Sequence, residues 1–166
     1  MGIPAAGRVM MVELANLYAP IATELDASAS IFREELQSDK AFIRDLCKHV
    51  DRYHGKRLRP ALLLLTARAC GQVRYEHRVL AAVVEMVHIA TLVHDDVLDE
   101  ADTRRRAATV NRLHGNEAAV LLGDYLISHA YHLCSSLESQ EASRVIAHTA
   151  AIVCEGELMQ VANRGN

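Results

Sequence analysis

The sequence has no tryptophan and only three prolines among 166 residues, and aromatic residues make up 4% of it. Proline-rich and strongly biased compositions are typical of disordered or fibrous chains, so their absence argues against both classes. Hydrophobic residues instead make up 51% and charged residues 23%, which is the composition of a single globular domain with a sizeable core. A formal net charge of −3 gives no indication of a nucleic-acid-binding surface.

Cysteine motifs and long apolar runs are absent as well. The four cysteines are far apart, with neither a CxxC pair nor a Cys/His pair at zinc spacing: Cys47, Cys70, Cys134 and Cys154. A disulfide framework and a structural zinc site are therefore disfavoured, and we expect four buried thiols in a reducing cytoplasm.

The first twenty residues contain no apolar run long enough for a signal peptide, and longer runs elsewhere are interrupted by His, Glu or Asp. We accordingly expect no membrane-spanning segment.

Apolar residues recur at three- and four-residue intervals along almost the whole chain, which predicts an all-α fold without strands. The predicted helices cover residues 9–37 with a division at Pro20, 41–49, 60–71, 76–99, 117–138, and 143 to the end. Residues 76–99 are apolar around most of their circumference, so this helix should be central and buried.

The central helix ends in the acidic run DDVLDEAD, where the helix dipole disfavours negative charge. In a helix, Asp95 and Asp99 lie one turn apart on one face, Asp96 lies about 100° away, and Asp102 would approach Asp99 if the helix continued. Mg²⁺ would remove the repulsion among these carboxylates, since it commonly bridges one or two carboxylates to substrate phosphates. The alternative is a solvated acidic helix end, which the continuity with a buried helix weakens.

Two basic segments accompany this acidic cluster. Three arginines follow it at 104–106, and they could simply neutralise the neighbouring carboxylates. A second basic group, HGKRLRP at 54–60, precedes a helix whose free backbone N–H groups also favour an anion. Gly55 in this turn suits a left-handed or strained backbone. Because guanidinium groups bind phosphate oxygens bidentately, the two segments predict two phosphorylated groups, one of them reached through metal.

Glu85 and His88 stand on the central helix, nearly on the same face as Asp95 and roughly two turns from it. A lone histidine in an apolar helix is more often a core residue bonded to a carbonyl. Because His88 is aligned with the acidic cluster, a role at a binding site is the alternative interpretation.

The motifs GKRLRP, EMVHIATLVHDDVLDEADTRR, GNEAAVLLGDYL and EGELMQ, in that order and spacing, resemble the trans-polyprenyl diphosphate synthases, most closely the long-chain type. The resemblance implies an isoprenoid-synthase-type helical bundle around a cavity, condensation of an allylic diphosphate with isopentenyl diphosphate, and a homodimer. It implies that Asp95, Asp96 and Asp99 hold Mg²⁺ against the allylic diphosphate, which Arg104 also grips. The residues it implies for the isopentenyl diphosphate site are Lys56, Arg59, His88 and Arg105, with Gln160 lining the cavity.

The sequence departs from the family pattern in three places. Arg106 stands where glycine is common, Ala108 where proline is frequent, and His54 where a further glycine usually precedes Gly55. Members of the family are also about twice as long and carry a second aspartate-rich motif, so we expect residues 1–166 to form the N-terminal half of the domain and to be inactive alone. The alternative is a non-catalytic homologue or regulatory subunit that binds a complete synthase. A terpene cyclase would not need the GKRLRP turn.

Product length should depend on the residues about one turn before Asp95. Thr91 lies only about 40° from Asp95 around the helix, and Ala90 flanks it. In the resembling family a bulky aromatic here limits the product, so these small residues imply a long chain of the kind used for quinone side chains. The alternative is that both are small only to let helices pack closely.

Overall fold

The computed structural model describes residues 16–164, which are almost entirely helical. The six helices are α1 Ala22–Glu35, α2 Ala41–Val50, α3 Leu58–Ala69, α4 Tyr75–Leu98, α5 Val110–Ser135 and α6 Glu141–Asn163. Two 3₁₀ turns, Ala19–Ile21 and Asp51–Tyr53, precede α1 and follow α2. The prediction of an all-α fold is confirmed, and the part of it on residues 9–15 lies outside the described residues.

Helix α4 is the centre of the fold, as its sequence predicts. One hydrophobic cluster joins α4 to α1, α2 and α5, and a second joins it to α1 and α3. Val83, Met86 and Ile89 have no solvent-exposed surface. Fully burying side chains of this size stabilises the fold by about 1.5 to 3 kcal/mol each, so α4 is held rigidly along its length. The polar groups at its C-terminal end are therefore presented on a fixed support.

Helix α5 begins earlier than expected and contains a break. It starts at Val110 and not at residue 117, and Gly115 within it has φ 84° and ψ 163°, which is not helical. Glycine reaches this conformation without the steric penalty of a side chain. The looser stretch expected before residue 117 is thus a short helical turn followed by a break.

One carboxylate joins the first and fifth helices. Glu35 at the end of α1 accepts hydrogen bonds from Nδ1 of His129 at 2.7 Å and from Nδ1 of His132 at 2.8 Å. The two histidines are three residues apart and so lie on one face of α5. Within residues 16–164 the hydrogen bonds of Glu35 include none to the basic turn at 54–57, which makes Glu35 a useful control residue below.

Helix α6 has no buried residue. Its exposed apolar side chains include Ile152, Leu158 and Met159. In the described part of the chain it is also the one helix long and apolar enough to span a membrane, by length and composition only. Its last turns lie beside the acidic end of α4, as the contacts below show, and the absence of a membrane-spanning segment stays a prediction.

The cysteines divide into two pairs, so the prediction of four buried thiols is wrong for two of them. All four are free, Cys47 and Cys134 are buried, and Cys70 and Cys154 are exposed. Cys70 caps the exposed end of α3, and Cys154 lies on α6. Both helices leave the face that carries these thiols uncovered.

Alkylation of the folded chain is expected to modify Cys70 and Cys154 and to spare Cys47 and Cys134. The thiolate is the reactive form, and burial raises the pKa of Cys47 to about 11. Mass spectrometry after iodoacetamide treatment at mildly alkaline pH should find two modified cysteines in buffer and four in urea. Modification of Cys47 in buffer as fast as Cys70 would contradict the packing of α2 against α4.

Candidate active site

Helix α4 ends in a closed backbone motif that places its acidic residues. Glu100 has φ 50°, its N–H bonds to the carbonyl of Val97, and Ala101 N–H bonds to the carbonyl of Asp96 at 2.9 Å. These are the two hydrogen bonds of a Schellman motif, which satisfy carbonyls at a helix C-terminus. Nδ2 of Asn111 adds a third donor, 3.1 Å from the carbonyl oxygen of Asp96. The chain leaves the helix here, so the condition under which Asp102 would approach Asp99 is not met, and Asp102 instead pairs with Arg112 at 3.5 Å.

Asp96 is the buried member of the acidic cluster, with 1% of its surface exposed. The hydroxyl of Tyr53 donates to its Oδ2 at 2.9 Å, and Nε of Arg104 donates to its Oδ1 at 2.7 Å. Burial and the neighbouring Asp96 carboxylate both raise the pKa of Tyr53, which keeps it protonated as a donor. Asp96 therefore ties both basic segments to α4: one through Tyr53, which directly precedes the turn, and the other through Arg104.

Asp95 and Asp99 lie outside this buried contact. Asp95 is partly buried and Asp99 is exposed. Burial is the largest cause that raises the pKa of Asp95, followed by the negative charges of Glu157 and Asp99. Nη2 of Arg164 lies 3.5 Å from Oδ1 of Asp99. The end of α6 thus brings one carboxylate and one guanidinium to the acidic cluster.

The donor set at this point fits a hard divalent cation. Within residues 16–164 no three His, Cys, Asp or Glu side chains are arranged to hold a metal ion. Asp96 faces Tyr53 and Arg104. The carboxylates of Asp95 and Asp99 remain, and they repel each other. Both offer oxygen ligands, and Mg²⁺ is commonly bound by one or two carboxylates together with waters and phosphate oxygens. Asp95 and Asp99 could hold it in that manner.

The second basic segment is a β-hairpin that the sequence analysis missed. Strands β1 (Thr103–Arg104) and β2 (Ala107–Ala108) pair antiparallel, with Arg105 and Arg106 as the two-residue loop. Their φ angles are 51° and 67°, the positive values required at both central positions of a type I′ turn. Glycine, asparagine and aspartate are the usual residues here, so two arginines give no hairpin signal in the sequence.

Replacing Arg106 with glycine is expected to stabilise the fold. A left-handed conformation is unfavourable by about 1 to 2 kcal/mol for an L-residue, and the greater freedom of glycine in the unfolded chain offsets about 0.5 to 1 kcal/mol of the gain. Urea denaturation should show that Arg106→Gly increases the free energy of unfolding by about 0.5 to 1 kcal/mol. Arg106→Ala removes the same side chain but keeps the strained φ, so it should show no such increase. Equal stability of the two variants would contradict this explanation.

The first basic turn reaches the hairpin at Gly55. The prediction that Gly55 takes a left-handed backbone is wrong: Arg57, at the start of α3, has the positive φ of 49°. Gly55 leaves room for Arg105, because a Cβ there would lie 2.8 Å from Cζ of Arg105 and closer still to both its terminal nitrogens, so the guanidinium would have to move aside. The two basic segments therefore touch, with the guanidinium of Arg105 over the Gly55 backbone.

His88 lies where these segments meet α4. Its pKa is lowered, first by burial and next by the positive charge of Arg59, with Arg105 and Arg104 acting in the same direction and Glu85 opposing them. An imidazole that is influenced by three arginines lies in a strongly positive part of the molecule. The lowered pKa keeps His88 neutral at physiological pH, where it can exchange hydrogen bonds with an anion without adding charge.

The remaining predicted site residues differ in placement. Lys56 is exposed on the turn, and Arg59 is exposed in the first helical turn of α3. A 2.8 Å hydrogen bond from the hydroxyl of Tyr18 to the carbonyl of Lys56 holds the backbone of the turn. Gln160 is exposed on α6, at a helical spacing that puts it on the same face as Glu157 and Arg164.

Ala90 is fully buried in the core. Thr91 is half-buried and donates to the carbonyl of His88 at 2.8 Å.

Comparisons with known proteins identify the family to which the chain is similar. The octaprenyl diphosphate synthase of Escherichia coli (strain K12) is 41% identical over 130 residues, which cover 78% of this chain and 40% of that protein. A decaprenyl diphosphate synthase from Rhodobacter capsulatus superposes with a TM-score of 0.85 at 37% identity, over 90% of this chain and 46% of its own. A polyprenyl synthase from Caulobacter crescentus CB15, complexed with calcium and isoprenyl diphosphate, gives 0.84 at 32% identity, over 89% of this chain and 45% of its own.

The chain thus spans about half the length of the relatives it matches. The sequence profile of the Polyprenyl synthetase family matches residues 40–166, which is most of the chain and includes both basic segments and the acidic cluster. This confirms the resemblance read from the four motifs: the chain belongs to the polyprenyl synthetase family.

Proposed function

We propose that this chain supplies the substrate-binding part of a prenyltransferase that condenses an allylic diphosphate with isopentenyl diphosphate. The observation that carries the proposal is the meeting of the two basic segments at Gly55 and Arg105, beside His88 and next to the acidic end of α4. Two anion sites of this kind, one of them next to carboxylates, suit two diphosphates, of which one is bound through metal.

The allylic diphosphate is assigned to the acidic side. Asp95 and Asp99 would hold Mg²⁺, which neutralises charge on the diphosphate as it leaves the allylic carbon. Asp96 has both oxygens bonded by protein donors, so its role in this proposal is to orient Arg104 and not to bind the metal directly. Within residues 16–164 the terminal nitrogens of Arg104 make no hydrogen bond, which suits them to the same diphosphate.

Isopentenyl diphosphate is assigned to the basic turn. Lys56, Arg59 and Arg105 supply positive charge, and neutral His88 supplies a hydrogen bond between them. Gln160, on the α6 face that carries Glu157 and Arg164, would line the cavity between the two substrates. This division matches the one that the family resemblance implies.

A long-chain product, a homodimer and a cytoplasmic location are the finer parts of the proposal. The similar proteins are named octaprenyl and decaprenyl diphosphate synthases, which supports a long product. The exposed apolar face of α6 is suited to packing against further protein, either another part of a longer chain or a second copy. Free thiols at all four cysteines are consistent with a reducing cytoplasm.

We further propose that residues 1–166 correspond to the N-terminal half of the synthase domain and do not catalyse condensation alone. The described residues provide one aspartate-rich motif for the diphosphate, whereas the family resemblance implies two, so the stabilisation of the leaving group is incomplete. The regulatory-subunit alternative has the same ancestry and would bind a complete synthase. Nothing in the contacts of residues 16–164 specifically favours it.

A chimera tests the function. This chain would replace the matched 130 residues of the Escherichia coli relative, and incorporation of radiolabelled isopentenyl diphosphate into an extractable prenyl product would be measured. The chimera should form product, and the 166-residue chain should not. A folded chimera without activity would contradict the prenyltransferase assignment, and ordinary rates from the isolated chain would contradict its expected inactivity.

A further inference from the structure

Glu85 is a buried carboxylate that the site described above does not use. It lies in the middle of α4 with 6% of its surface exposed, and its Oε1 is 3.0 Å from Nδ1 of His54. A carboxylate accepts hydrogen bonds and a ring N–H donates them, so Nδ1 of His54 carries the proton in this contact. A buried charge without a partner is strongly unfavourable, which makes this hydrogen bond important to the local structure.

His54 is held from three directions. Besides Glu85, Oδ1 of Asp51 lies 3.4 Å from its Nε2, and the ring of Phe32 in α1 packs edge-on against it with centroids 4.7 Å apart. The side chain of His54 is 19% exposed, so most of it is enclosed by these neighbours. Its ring position, and with it the backbone at residue 54, is therefore fixed by α1 and α4.

The backbone fixed in this way is the diphosphate-binding turn. Gly55, which directly follows His54, supports the guanidinium of Arg105, and Lys56 comes next. A shift of residue 54 would move the Gly55 surface on which Arg105 rests and the backbone that carries Lys56. The relative position of these two cations would then change.

We propose that Glu85 is a positioning residue, which acts through its hydrogen bond to His54 to hold the Gly55–Lys56 backbone in the geometry that binds a diphosphate. The inference rests on the proposed function of this turn as the isopentenyl diphosphate site. It assigns His54, a departure from the glycine usual in the resembling family, to the same task.

The proposal predicts an effect opposite to that of charge alone. Glu85 is negative and lies one helical turn from His88, so on electrostatic grounds its removal should strengthen the binding of an anion. If the carboxylate acts by holding His54, its removal should weaken that binding. The direction of the change therefore separates positioning from a simple charge effect.

The test is calorimetric titration of the chain with isopentenyl diphosphate, and with inorganic pyrophosphate, in the absence of divalent metal. Glu85→Leu is expected to weaken binding about tenfold, as for the loss of one hydrogen bond to a charged group. Glu85→Gln keeps an acceptor for His54 Nδ1 and should bind within about twofold of the native chain. Glu35→Leu is the matched control, because it removes another partly buried glutamate bonded to histidines and should leave both affinities unchanged.

Variants at His54 give the same test without changing the core. His54→Ala should weaken binding like Glu85→Leu, and His54→Asn, whose amide nitrogen can replace Nδ1 as a donor to Glu85, should restore most of it. Native affinity in folded Glu85→Leu or in His54→Ala would overturn the positioning role while leaving the proposed function intact. A native chain that binds neither diphosphate would instead overturn the proposed function of the turn.

Discussion

Asp95→Asn and Asp99→Asn are each expected to abolish the coupling between Mg²⁺ and diphosphate. Two carboxylates give Mg²⁺ few ligands, so the native chain should bind it weakly alone and about 10- to 100-fold more tightly with pyrophosphate present. Each asparagine removes a charged ligand, and the variants should bind Mg²⁺ with the same low affinity in either condition. Calorimetric titration of Mg²⁺ with and without pyrophosphate measures the effect.

Two neighbouring aspartates should respond differently, and only Asp102, which lies outside the proposed site, is a control for the coupling. Asp102 is exposed and pairs with Arg112, so Asp102→Asn should retain the full coupling. Asp96→Ala breaks a buried ion pair with Arg104 and should lower the free energy of unfolding by about 3 kcal/mol or more. Unchanged coupling in Asp99→Asn would show that the metal is bound elsewhere.

Thr91→Tyr in the chimera is expected to shorten the prenyl product by several isoprene units. Thr91 is half-buried, one turn before Asp95 and about 40° from it around α4, so a tyrosine there would extend beneath the metal site. Chromatography of the dephosphorylated products gives their length. Thr91→Val, which keeps the size of the side chain, should leave the product distribution unchanged.

Ala90 is less suited to this test than the sequence analysis assumed. It is fully buried among core residues, so a tyrosine there should overpack the core, which typically destabilises by about 1 to 3 kcal/mol. An active, folded Thr91→Tyr chimera that makes the native product would place the limit on chain length at other residues. The long-chain proposal would then lose its physical support in this chain and rest on the similar proteins alone.

Sequence periodicity was sufficient to locate α4 and its acidic end. The helix is apolar on nearly all sides, and its length of twenty-four residues and its alanines favour a helix over the strands that its valines could also form. Periodicity does not identify the hydrogen-bond partner of each polar side chain. Asp96 resembles its neighbours in sequence, yet it is bonded to Tyr53, 43 positions away, and such a contact depends on how α4 packs against the turn after α2.

The two basic segments also have contacts that could not be predicted from the sequence. Their residues could be identified as phosphate ligands by type, but the hairpin at 103–108 is too short and too unusual in composition to be read from sequence. The sequence suggests a backbone role for Gly55, whereas in the structure the guanidinium of Arg105, fifty residues away, occupies the space beside it. In each case the missing information is a distance between segments that only the fold brings together.

Titration of the native chain with pyrophosphate, in the presence and absence of Mg²⁺, distinguishes two diphosphate sites from one. The account assigns one diphosphate to the basic turn without metal and a second to Asp95 and Asp99 through metal. It predicts a stoichiometry of one pyrophosphate per chain without Mg²⁺ and two with it. The same stoichiometry in both conditions would contradict the assignment of two diphosphate sites.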